Sequence, residues 1–245
     1  QVYEAIKAVD GGAGVFLVIK NYTGDVMNFE MAAELAEAEG IKVEKVVVND
    51  DVAVEDSSFT TGRRGIAGTV FVHKIAGAKA ESGASLEEVK AVAEKVNANV
   101  RSMGMALSPC TVPAAGNPSF VLKENEMEIG MGIHGEPGIE RKEIASADEI
   151  ATELTTKILE DIDYSGSEVA VMINGLGSTP EMELFIVNAK VHDILAEKGI
   201  KVQKTYVGEY MTSLEMAGCS VSLLKLDDEL KALLDADSSA PAFRV

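Results

Sequence analysis

Short apolar runs alternate with longer segments of helical spacing through the first hundred residues. Residues 14–19 (GVFLVI) form a compact run rich in branched side chains, the pattern of a strand buried on both faces. Residues 25–39 carry Met27, Phe29, Met31, Ala32, Leu35 and Ala36, a helical pattern that stops at Gly40, a residue suited to the turn after a helix. A second strand is predicted over 43–48, then two helices over 66–80 and 86–100. Ahead of them, Val2, Ile6 and Val9 have helical spacing that ends at Gly11-Gly12, so the sequence opens inside a helix, as if a leading segment were missing. Strand, helix, strand and then helices predict a parallel sheet with covered faces.

The second half differs. Strands predicted over 103–107 and 128–133 flank a Pro-, Gly- and Asn-rich connection at 113–118. A helix over 148–159 leads to a strand over 169–173, and a helix over 180–198 to a strand over 201–207. A last strand covers 220–226 and a last helix 228–234. The change is placed near Asn99, dividing the chain into a first α/β domain (1–98) and a second (99–245). The tail, 235–245, is placed on the surface.

Composition narrows the function classes. The 245 residues are 47% hydrophobic and 25% charged, an ordinary globular balance. A formal charge of −18 repels phosphate backbones and anionic membranes, and Arg63-Arg64 is too short a basic patch to reverse that. Cys110 and Cys219 do not make a disulfide framework, which fits a reducing cytoplasm. There is no apolar run of transmembrane length and no signal-peptide pattern at the start.

Three segments hold candidate chemistry. KNYTGD (20–25) lies where a predicted strand gives way to a helix, the place where open α/β sheets bind ligands. Asp25 reads first as an N-cap of that helix; the functional alternative makes it a general base, with Lys20 bonding a hydroxyl. GMGIHGEPG (130–138) surrounds His134 with glycines that leave its ring uncrowded, and Glu136 could orient the imidazole. These residues alone leave His134 open between a ligand contact and a satisfied loop histidine. NGLGSTP (174–180) is a Gly-rich strand-to-helix turn that matches no phosphate-loop pattern, and a tight turn with Pro180 opening a helix is the simpler reading. His73 reads as packing or surface and His192 as solvated. The cysteines lack the basic neighbours of a reactive thiolate, and no spacing supports a metal site. Asp50, Asp51, Asp56, Asp227 and Asp228 read as loops, caps and solubility.

NYTGDVMNF, GIAGTVFVHKIAGA, GMGIHGEPG, NGLGSTPEMEL and GEYMTSLEMAGCSVSLLKLDDE, spread over nearly the whole chain, together resemble the K domain of the dihydroxyacetone kinases. The resemblance implies an α/β fold of two domains: a three-layer parallel sheet, incomplete in this chain, and a two-layer mixed sheet with helices. It implies that His134 forms a covalent hemiaminal with the ketone carbon of dihydroxyacetone. Lys20 and Asp25 would contact the substrate hydroxyls, and Asp25 would help deprotonate the one that accepts phosphate. It further implies a cytoplasmic homodimer that binds no nucleotide itself, the nucleotide residing on an ADP-binding L subunit of the phosphotransferase-dependent system. The family's acid/base histidine motif is expected to lie upstream of Gln1. A paralogous dihydroxyacetone-sensing coactivator of a transcription factor is the second expectation, and a lipid-binding protein of related architecture the third.

Overall fold

A computed structural model describes residues 1–54, 62–241 and 243–244. Two parallel strands, β1 (Val15–Lys20) and β2 (Val43–Val48), pair in register from Val15 with Val43 to Lys20 with Val48. The alternation in β1 sends Val15, Leu17 and Ile19 to one face and Phe16 and Val18 to the other. The first set packs on α1 (Val2–Val9) and α2 (Thr23–Ala38) through Ile6, Ala32 and Ala36. The second set packs on α3 (Thr69–Glu81) and α4 (Leu86–Asn99). The predicted covered parallel sheet is therefore present as a three-layer unit.

The chain passes from α4 directly into β3 (Val100–Ala106), part of a six-stranded mixed sheet. Its other strands are β4 (Glu126–Ile129), β5 (Glu140–Glu143), β6 (Glu168–Gly175), β7 (Lys201–Gly208) and β8 (Gly218–Leu226). The order is β5-β4-β3-β8-β6-β7, antiparallel except for β6 with β7. One face, with Met103, Met105, Val169, Val171, Ile173, Val221 and Leu223, packs on α5 (Ala147–Asp161) and α6 (Glu181–Glu197). The opposite face presents Ala170, Met172, Leu224 and Leu226 to α3, α4 and α7 (Asp228–Asp235). The α3/α4 layer thus serves both sheets, and a single apolar cluster runs from Val46 on β2 to Leu224 on β8.

Local chemistry sets the element ends. α4 and α5 each start with a reciprocal capping box, Ser85 with Glu88 and Ser146 with Glu149. Asp227 caps α7 through the Leu230 N–H at 2.9 Å, as its sequence position suggested. The strand expected to run to Ile133 ends at Ile129, because Gly130 takes φ +75° and turns the chain. The tail does not lie wholly on the surface: β9 (Ser239–Ala240) pairs with β10 (Phe243–Arg244), and the Phe243 ring centre lies 5.1 Å from that of Tyr206. No helix among the described residues is long and apolar enough to cross a membrane.

Candidate active site

Lys20 is the last residue of β1, and the chain turns at once into α2. The Asn21 N–H bonds the Val48 carbonyl at 2.9 Å, tying the turn to the end of β2. Gly65 lies across both strand ends. A Cβ there would stand 2.5 Å from the Val48 carbonyl oxygen and 2.9 Å from the Lys20 Cα. Tyr22, not Asp25, occupies the N-cap position, and no side chain caps the helix. Asp25 sits in the first turn, partly exposed, so the capping role expected of it is corrected. Burial lowers the Lys20 ammonium pKa, while the charges of Asp25, Glu136 and Asp50 pull it back.

His134 is carried by the turn that follows β4. The turn closes on itself through Gly132 N–H to the Glu136 carbonyl and Gly135 N–H to the Gly132 carbonyl, both 3.2 Å. Gly135 has φ +82°, and a Cβ on Gly132 would overlap Glu136 Oε2 and displace that carboxylate. The buried Glu136 carboxylate accepts the His134 backbone N–H at 3.0 Å and contacts the ring Nδ1 at 2.9 Å. Burial penalises its charge most, but the hydrogen bonds and charge of His134 together with its own backbone hydrogen bond hold its pKa below the ordinary carboxylate value. A carboxylate on Nδ1 fixes a proton there and leaves Nε2 as the free nitrogen. The His134 side chain is 50% exposed.

The two segments meet. The Tyr22 ring stands edge-on to the His134 imidazole, centroids 4.5 Å apart at 69°, and the Lys20 ammonium is 6.0 Å from the Tyr22 ring centre. Beneath them Tyr22, Ile66 and Ile133 form an apolar floor. Tyr22 carried no separate role in the sequence reading, although it lies inside KNYTGD. Its phenol is buried without a hydrogen-bond partner among the described residues, and burial pushes its pKa upward.

Two acidic residues read as loop and solubility groups are in fact fully buried supports. Asp50 accepts the N–H groups of Ile66 and Gly68, both at 2.8 Å. Burial raises its pKa, and the bonds from Ser102 and those two N–H groups work against the rise. Asp51 pairs with the buried Arg64 at 2.7 Å; burial pushes the acid up to about 6 against the pull of Arg64. Arg64 also donates to the carbonyls of Gly130 at 2.7 Å and Pro137 at 3.4 Å. Arg63 pairs with Asp161, which Arg101 also holds, so neither member of the basic pair offers a nucleic-acid patch. Asp56 lies outside the described residues.

The other candidates supply none of the reactive groups of this centre, although Met211, held by the 174–180 turn, packs on the Tyr22, Ile66 and Ile133 floor. In the 174–180 turn, Asn174 accepts the N–H groups of Tyr210 and Met211, and the Ser178 N–H bonds the Met216 carbonyl. Those contacts make it a braced tight turn. His192 is not simply solvated: its Nε2 lies 3.0 Å from Thr205 Oγ1. His73 lies on α3, where burial and then the charge of Lys20 lower its pKa, beside a cavity of about 950 Å³ between that helix and the C-terminal segment. Both cysteines are buried and free, and burial pushes Cys219 up to about 12. No cluster suited to a metal ion occurs among the described residues.

Comparison with known proteins identifies the family and the fold. The Dak1 domain model matches residues 1–242. The dihydroxyacetone-binding subunit of the PTS-dependent dihydroxyacetone kinase 1 of Listeria innocua is 59% identical over 230 residues, covering 94% of this chain and 70% of that protein. Among solved structures, a dihydroxyacetone kinase operon co-activator superposes with TM-score 0.90 at 36% identity, over 96% of this chain and 74% of the other. The dihydroxyacetone kinase from C. freundii gives TM-score 0.88 at 35% identity, over 96% of this chain but 43% of the larger kinase. Fatty-acid-binding DegV proteins, such as that of Thermus thermophilus, share the fold alone, at 16% identity and TM-score 0.55 over 92% of this chain and 76% of that one.

Proposed function

The chain belongs to the Dak1 domain family, and on that premise we propose that it binds dihydroxyacetone covalently at His134 and presents it for phosphorylation. The observation that carries the reading is the half-exposed imidazole, held through Nδ1 by the buried Glu136 with Nε2 left open. Nε2 attacks the ketone carbon; the C=O π pair moves to oxygen, which takes a proton, and Nδ1 gives up its proton through Glu136 or water. The product is a neutral hemiaminal. Polyols lack the carbonyl, so capture selects ketones by reactivity, where counting hydroxyls discriminates poorly. Capture also fixes the terminal hydroxyl for in-line attack. Lys20 bonds a substrate hydroxyl, and Asp25, free of a capping role, takes the proton of the hydroxyl that accepts phosphate. The phosphoryl group comes from a nucleotide on a separate L subunit of the phosphotransferase-dependent type.

The test is dihydroxyacetone labelled with ¹³C at the carbonyl. Wild type should move that resonance from the ketone to the tetrahedral range, and His134→Ala should not. A ketone signal unchanged by wild-type protein would remove the covalent role. A second reading, a dihydroxyacetone-sensing coactivator, is favoured by the close superposition on the operon co-activator. Phosphorylation of dihydroxyacetone on addition of an L subunit separates the two: turnover supports the kinase subunit, and adduct without turnover the sensor.

A further inference from the structure

Arg64 is fully buried, and its guanidinium reaches both ends of the turn that carries His134. Nη2 donates to the Gly130 carbonyl at 2.7 Å, and Nη1 makes a longer bond of 3.4 Å to the Pro137 carbonyl. Nε donates to Asp51 Oδ2 at 2.8 Å, which supplies the counter-charge. Nη1 also lies 2.8 Å from the point where a Cβ on Gly132 would stand, the same point that Glu136 Oε2 crowds. One planar fork therefore holds the entry and exit of the turn and flanks the carboxylate that orients the imidazole.

Stability is a poor explanation for such a group. Burying two opposite charges costs desolvation that a well-packed apolar pair avoids, so buried ion pairs are often no more stabilising than their hydrophobic replacements. What a guanidinium supplies, and neither an apolar side chain nor the point charge of a lysine can, is several donors in fixed directions. We propose that Arg64 is a positioning residue for His134, with Asp51 as its counter-ion: it closes the 130–137 turn from both ends and so sets the angle at which Nε2 meets the ketone. The inference rests on His134 being the covalent anchor.

The experiment follows adduct formation with ¹³C-carbonyl dihydroxyacetone on the full chain and three variants, Arg64→Ala serving for rescue. Arg64→Met combined with Asp51→Leu removes both charges; Arg64→Lys keeps the charge opposite Asp51 but not the fork. Each is compared with wild type for its urea midpoint, its adduct-formation rate as a function of pH, and its non-covalent affinity for glycerol, which lacks the carbonyl. Positioning predicts that a variant with a wild-type urea midpoint forms adduct about tenfold more slowly or worse, with glycerol affinity little changed. Millimolar guanidinium should restore part of the rate to Arg64→Ala without moving its urea midpoint. Should the double variant fail to fold, Arg64→Lys decides alone. A folded variant with adduct rates within twofold of wild type overturns the proposal, as does a rate loss matched by an equal loss of glycerol affinity. If wild type itself forms no adduct, the failure lies with the covalent reading of His134 instead.

Discussion

The Tyr22 ring meets the His134 imidazole edge-on at 4.5 Å, joining the turn after β1 to the turn after β4 across 112 positions of sequence. An edge-on aromatic contact restricts ring rotation without supplying a proton donor or acceptor to the reacting nitrogen. Together with Glu136 on Nδ1, it leaves the imidazole one free nitrogen and few orientations.

The Tyr22 phenol has no partner among the described residues, so its two halves should separate by mutation. Tyr22→Phe removes a buried, unpaired hydroxyl and should be neutral or stabilising, within about 1 kcal/mol of wild type in a urea titration. Adduct formation should be retained. Tyr22→Ala removes the ring and should slow adduct formation by about tenfold or more. A Tyr22→Phe variant as defective as Tyr22→Ala would show that the hydroxyl, not the ring, matters.

Glu136→Gln keeps the shape of the side chain but removes the carboxylate that holds Nδ1 and the His134 N–H. An amide can present either its oxygen or its NH₂ to the ring, so the tautomer is no longer fixed. Adduct formation should fall by up to about 10⁴-fold, the loss seen when the carboxylate that orients a reactive histidine becomes an amide. Gly132→Ala should do the same by another route, since its Cβ would displace Glu136 Oε2. Far-ultraviolet circular dichroism should stay unchanged in both, and adduct rates equal to wild type would remove Glu136 from the site.

The helices and strands of this fold were legible where apolar residues form a run or keep a fixed period. β1 is a continuous apolar run, and the helical spacing of α2 stops at Gly40. The capping boxes Ser85-x-x-Glu88 and Ser146-x-x-Glu149 mark the starts of α4 and α5 but played no part in predicting them. β5 was missed because Glu140, Arg141, Lys142 and Glu143 give an edge strand no apolar signal. His134, Lys20 and Asp25 stood out by their glycine-rich or strand-end settings. Their supports did not: burial of Asp50, Asp51 and Arg64 is set by backbone and side-chain partners 13 to 18 positions away or more, which no local spacing encodes. Tyr22 was hidden for the same reason, its partner being a ring on a distant turn.

Asp25 is not a cap, so replacing its charge should cost the fold little. Asp25→Asn should keep the unfolding free energy from urea titration within about 0.5 kcal/mol of wild type, the range of surface substitutions. It should still form the adduct, because His134 does that chemistry. With an L subunit present, turnover should drop by roughly a hundredfold or more, the usual range for removing a general base. Unchanged turnover would assign the proton transfer elsewhere, and loss of the adduct itself would move Asp25 to substrate capture.

Asp161 offers a pH dependence separate from the chemistry. Arg63 first, and Arg101 after it, hold its carboxyl below the ordinary value of 3.8, against a rise from partial burial. The folded pKa is therefore lower than the unfolded one. By linkage the folded state gains stability from the ionised acid; that gain is present in full above the unfolded value and is lost as pH falls through the folded one. Wild type should lose stability on acidification below about pH 4, partly through this carboxylate. Asp161→Asn should be less stable at pH 7, by on the order of 1–3 kcal/mol for lost bonds to charged groups. Its urea midpoint should then change less than that of wild type between about pH 4 and about pH 2. Parallel midpoint curves for the two proteins across that window would show that the two arginines do not stabilise the ionised acid.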